Sequence, residues 1–189
     1  MPGIRSQFSK DFIFGAATAA YQIEGSKFGG CGESIWDYFA KNGGTENGDD
    51  GSFACDHFHR FEEDLDLLVD AGFDAYRFSF SWSRLFPDGK NLNIEGLDFY
   101  KQLLDAINSR GLRPFGTAYH WDMPQALGQL GGWTVRENAE RFGDYMGFIA
   151  RTFGDGFENL VSINEPWCVA WLSHYLGEHA PGLKDLNSA

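Results

Sequence analysis

The sequence predicts an α/β fold in which about four βα units make half of a (β/α)8 barrel, and three observations predict it. Short apolar runs alternate with longer stretches of helical periodicity. Each long stretch ends at a glycine, with the next apolar run close behind. Four strands are countable, where a closed barrel of about 250 residues has eight. Helix-to-strand connections this short suit parallel crossovers rather than hairpins. A doubly wound open sheet shares the alternation, but no Gly-x-Gly-x-x-Gly turn follows the first strand to favour dinucleotide binding.

The first strand is expected at 12–19, FIFGAATA, short, apolar and bounded by polar residues. A Gly-rich excursion over 29–53 follows, interrupted by a short amphipathic piece at 35–39. Over 59–71, Phe61, Leu65, Leu68 and Val69 recur at helical spacing while Glu62, Glu63, Asp64 and Asp66 take the other faces, and Gly72 stops the helix. Strand two is DAYRFSF at 74–80. Helix 95–110 puts Leu97, Tyr100, Leu104 and Ile107 on one face and ends at Gly111. Strand three is 112–118, the next helix 135–153 ends at Gly154, and strand four is 157–163. Phe14, Phe78 and Phe115 are expected on the inner face of the barrel.

With 189 residues and 43% hydrophobic content, the chain is expected to form a single domain over 1–189. A net charge of −12 repels phosphate backbones and anionic membranes, so neither nucleic acid nor membrane is an expected partner. Six Trp and 18 Phe exceed what a core of this size needs, which leaves aromatic surface for a ligand. Cys31, Cys55 and Cys168 are odd in number and form no CxxC pair, and no apolar leader follows Met1. A cytoplasmic protein is the expectation. No run approaches the roughly 18 apolar residues of a membrane helix.

In a parallel barrel, functional groups sit at the carboxyl ends of strands. Here those positions hold Gln22 and Glu24 after strand one, Ser81-Trp82-Ser83-Arg84 after strand two, His120-Trp121-Asp122 after strand three, and Asn164-Glu165-Pro166-Trp167 after strand four. Planar amide, imidazole and carboxyl groups with indoles suit a sugar, whose hydroxyls need directional partners and whose apolar ring face stacks on Trp. Each residue also has a plainer explanation. Asn164-Glu165-Pro166 would open a helix equally well, His120 alone would fit a core, and Trp121 and Trp167 would serve packing. Cys55, Asp56, His57 and His59 do not make a metal site, because His residues two apart share no helix face and no second ligand cluster lies at a recognisable spacing.

Taken together, FIFGAATAAYQIEG at 12–25, SIWD at 34–37, HFHRFEED at 57–64, YRFSFSWSR at 76–84, HWDMP at 120–124 and NEP at 164–166 closely resemble the ordered motifs of glycoside hydrolase family one. The match runs over about 8–184. NEP alone is shared among related barrel hydrolases, but the ordered blocks are specific. The resemblance implies the amino-terminal half of a TIM barrel and a retaining β-glucosidase acting on β-glucosides or cello-oligosaccharides without cofactor or metal. By it, Glu165 is the acid/base, Gln22, His120 and Asn164 bind the non-reducing sugar, and Arg77 orients the nucleophile. Trp121 walls the sugar subsite, and Trp167 and Cys168 line the leaving-group side.

The family's nucleophilic glutamate lies in a Thr-Glu-Asn-Gly motif after strand seven, and nothing like it occurs in this sequence. The expectation is a truncated catalytic domain, inactive alone, whose partner is the carboxyl-terminal half or a second copy meeting it at the open barrel edges. Glu24 and Asp122 are the nearest local carboxylates. Two other functions fit the sequence: a phospho-β-glycosidase fragment, and a non-catalytic sugar-binding or assembly module.

Overall fold

A computed structural model describes residues 2–189. After a single helical turn, α1 (Pro2–Arg5), the chain enters β1 (Gly15–Ala17) and the short α2 (Ala20–Ile23). The Gly-rich excursion carries α3 (Ile35–Lys41), started by Ser34 and Asp37 as a reciprocal capping box. Then come α4 (His57–Asp70), β2 (Ala75–Ser79), α5 (Trp82–Leu85), α6 (Ile94–Ser109), β3 (Arg113–Tyr119), α7 (Gln125–Gln129), α8 (Arg136–Phe153) and β4 (Asn159–Ile163). A π-helical segment, Cys168–Tyr175, follows the last strand. No described helix is long and apolar enough to cross a membrane.

The four strands form one parallel sheet in the order β1-β2-β3-β4. Gly72 and Gly111 adopt φ +80° and +71° just past α4 and α6, the left-handed geometry that lets a helix stop and the next strand begin within a few residues. The long elements lie where their periodicity predicts. β1 is shorter than the apolar run that announces it, with Phe12 and Ile13 exposed, because an edge strand is held from one side only. Val69 of α4 is exposed rather than packed; Leu65 carries that face into the core.

Register corrects one expectation. Arg77 pairs with Ala17 and Phe115, and Ser79 with Thr117, which in turn pairs with Val161. Paired residues of a parallel sheet share a face, so Arg77, Phe115, Ser79, Thr117 and Val161 line the inner side. Phe78 falls between them and points outward. It is 2% exposed and lies in a core with Tyr76, Phe80, Tyr100, Leu103, Ile107, Tyr145 and Ile149. The apolar residues of β2 face the helices because the inner face carries the polar site. Phe115 is half-buried on that inner face and Val161 exposed.

Candidate functional site

The strand ends meet in a hydrogen-bonded rim. Arg77 on β2 donates from Nε to Thr117 Oγ1 at 3.0 Å and from Nη2 to Asn164 Oδ1 at 2.7 Å. That second bond fixes the amide, so Asn164 turns Nδ2 toward His120 Nε2, 3.3 Å away. The imidazole must then offer a lone pair at Nε2 and carry its hydrogen on Nδ1, a buried atom with no hydrogen-bond partner among the described residues. Burial is the main cause that lowers the His120 pKa to about 4, reinforced by the Arg77 charge and opposed by Glu165. The ring is therefore neutral near pH 7, as an acceptor at Nε2 requires.

Asn164 is also held through its backbone: its N–H donates to Tyr119 O at 2.9 Å, and its carbonyl accepts from Trp121 Nε1 at 3.0 Å. Two residues of this rim occupy the left-handed region that L side chains disfavour, Trp121 at φ +73° and Glu165 at φ +46°. Pro166 disfavours right-handed helical geometry in the residue before it, so the chain turns sharply at Glu165 before the π-helical segment begins. The turn leaves Glu165 exposed beside buried Asn164. Cys168 donates its thiol to Glu165 Oε2 at 3.2 Å, and burial together with that carboxylate raises the Cys168 pKa.

Arg77, His120, Trp121, Asn164, Glu165 and Cys168 are thus brought together. Gln22 lies exposed on α2. Trp167 is 61% exposed and stacks on Trp171 with centroids 6.2 Å apart. Sequence reasoning missed Thr117, which alternation along β3 would have placed on the inner face beside Arg77. It also missed His179 and Trp36, which extend the aromatic wall from Trp121 at centroid distances of 5.3 and 5.5 Å. Neither follows a strand end, so no positional rule singles them out. A groove of about 690 Å³ on the outer surface, floored by Trp82, Phe86 and Tyr145, contains none of these rim residues.

Glu24 and Asp122 lie beneath the rim. Glu24 accepts from Arg84 Nε at 2.8 Å and from the Tyr100 hydroxyl, while Arg84 also donates to the carbonyls of Phe28 and Gly25 and rests over the Phe58 ring. Asp122 is buried among Ser81, Glu24 and Arg84. Burial is the main cause that raises its pKa far above the carboxylate range, helped by the Glu24 charge and opposed by the Ser81 hydroxyl and Arg84.

The family model of glycosyl hydrolase family 1 matches residues 4–189. Beta-glucosidase A of Thermotoga maritima is 46% identical over 183 residues, which cover 95% of this chain and 41% of the relative. A bifunctional beta-D-glucosidase/beta-D-fucosidase of Bifidobacterium breve is 51% identical over 183 residues, 93% of this chain and 40% of the relative. The solved structure of the Thermotoga maritima family 1 β-glucosidase superposes with a TM-score of 0.93 at 45% identity, covering 96% of this chain and 41% of that one. Another structure of that β-glucosidase, with the same TM-score, holds castanospermine. The chain therefore spans about 41% of the length of such relatives, and its parallel sheet corresponds to part of their barrel.

Proposed function

This chain belongs to glycosyl hydrolase family 1, and on that premise we propose that it carries the acid/base side of a retaining β-glucosidase site, working as one module of four βα units. Glu165 protonates the glycosidic oxygen as the leaving group departs, then as carboxylate activates the water that releases the sugar. Gln22, His120 and Asn164 hold the non-reducing glucosyl unit, Trp121 forms its apolar wall, and Trp167 and Cys168 line the leaving-group side. Arg77 fixes the Asn164 amide and directs positive charge at the nucleophile's position. The observation that carries this reading is the Arg77–Asn164–His120 chain of hydrogen bonds, which presets one sugar-facing amide and one neutral imidazole next to an exposed Glu165.

Double displacement needs a second carboxylate about 5–5.5 Å from the first. Glu24 is committed to Arg84 and Tyr100, and Asp122 is buried with its pKa pushed well above the ordinary carboxylate value, so neither is free to attack an anomeric carbon. The nucleophile comes from residues other than these, and the chain alone binds sugar without turnover. A sugar-binding or assembly module with no part in catalysis is the second reading, favoured by the engagement of Glu24 with Arg84 and the burial of Asp122. A phosphorylated glucoside would find Arg77 on this rim with two of its nitrogens already engaged, which favours the unphosphorylated sugar.

Titrating castanospermine into the chain and following tryptophan fluorescence tests the proposal. Saturable binding is expected, weakened about tenfold, or 1.4 kcal/mol, by Asn164→Ala. An activated aryl β-glucoside is expected to stay unhydrolysed. Failure of castanospermine to bind would sink the sugar-site reading, and turnover by this chain would sink the assignment of the nucleophile elsewhere.

A further inference from the structure

The polar cluster under the rim contains two oxygens with no hydrogen-bond partner among the described residues. These are Asp122 Oδ1 and Ser83 Oγ, both buried, in residues 2% and 1% exposed. Both residues line one cavity, together with Glu24, Cys31, Ser34 and Arg84. The room in it for the centre of a water molecule is about 10 Å³, roughly the space one water requires, and a buried water is stable when it has two to four polar partners.

We propose that Asp122 and Ser83 hold one water molecule in this cavity, and that the hydrated pair is a positioning element that keeps the His120–Trp121 turn pressed against Asn164. The geometry ties three strand ends at this point. Ser83 follows β2, Asp122 follows β3, and the excursion after β1 is stitched to both: Gly32 N–H donates to Ser83 O at 2.9 Å and Ile35 N–H to Met123 O at 2.8 Å. Trp121, at φ +73°, holds a conformation that persists only where its surroundings over-determine it. Asp122 is the next residue and its buried anchor. The serine hydroxyl can donate and accept, and burial favours the proton-bearing form of Asp122, so a water between them finds partners in both senses. The charged and titratable groups facing Asp122 are Glu24, Arg84, Cys31, Tyr100, Tyr119 and Tyr145; Arg77 and Glu165 face His120.

The relevance to catalysis rests on the sugar-site reading; the water and the turn do not. Water-to-protein NOE spectra of the wild-type chain are expected to show a long-lived water at the Ser83 and Asp122 amides, lost in Ser83→Ala and in Asp122→Leu. His120 titration then reports the turn. In both variants its midpoint is expected to rise from about 4 toward the ordinary 6.5 as the ring gains solvent. Asp122→Asn, which mimics the neutral acid, is expected to keep both the water and the low midpoint. Absence of a long-lived water in the wild type overturns the proposal, as does a His120 midpoint unmoved by Ser83→Ala, or one moved as far by Asp122→Asn as by Asp122→Leu. Should Asp122→Leu fail to fold, the wild-type spectrum and the single-oxygen Ser83→Ala variant decide. Loss of castanospermine binding with the water and His120 midpoint as expected would count against the sugar reading alone.

Discussion

Acidification from pH 8 to pH 4 is expected to weaken the fold through His120. In the unfolded chain the imidazole takes its proton near 6.5, but in the fold burial and Arg77 delay this to about 4. Between these values the unfolded state binds more protons than the native state, so stability falls as pH falls; below about 4 both states are charged and this loss stops growing. The gap of 6.5 − 4, about 2.5 pH units, corresponds to a ceiling of about 3.5 kcal/mol at about 1.4 kcal/mol per unit. The ring is only partly buried, and solvent screening reduces the expected loss to about 1–2 kcal/mol. Urea denaturation of wild type and His120→Gln at pH 7 and pH 4 isolates this contribution, because Asp50, Asp74 and Asp88, whose lowered pKa values also favour the fold above acid pH, titrate identically in both. The wild type should lose about 1–2 kcal/mol more than the variant over that interval. An NMR midpoint for His120 near 6.5, or identical losses in the two proteins, would refute the account of how the ring is held neutral.

Glu24→Ala leaves the Arg84 guanidinium buried without its carboxylate and should cost about 3–5 kcal/mol in urea denaturation; a cost under about 1 kcal/mol would mean that water reaches the pair. In a full-length barrel built on this sequence, Glu165→Ala should slow hydrolysis most for poorly leaving aglycones and least for nitrophenolates, with azide restoring turnover, whereas a uniform loss would reject the acid/base role. The free sides of β1 and β4 are unpaired within the described sheet, so sedimentation velocity over a concentration series should show self-association through parallel edge pairing; a sharp monomer at high concentration would contradict it.

The sequence by itself determined the order, type and approximate limits of the strands and long helices, because periodicity and glycine stops act over a few residues at a time. It also placed Gln22, His120, Asn164 and Glu165 just beyond strand ends, since in a parallel sheet chain direction dictates which end carries them, while Arg77 falls within strand two and drew its role from the family resemblance alone. Alternation tells which residues of a strand share a face, but only tertiary structure decided which face of β2 is the inner one. Phe78 looks like an inner residue until register shows Arg77, Ser79 and Thr117 occupying that side. Tertiary structure also separated the carboxyls: Glu24, Asp122 and Glu165 all follow strands, yet two are sealed under the rim by Arg84, Tyr100 and Ser81 while the third is exposed at a left-handed turn. His179 and Trp36 joined the wall only through contacts between distant segments. A carboxyl's role depends on its solvent, its neighbours and its direction, and those are set by residues far away in the chain that local pattern does not encode.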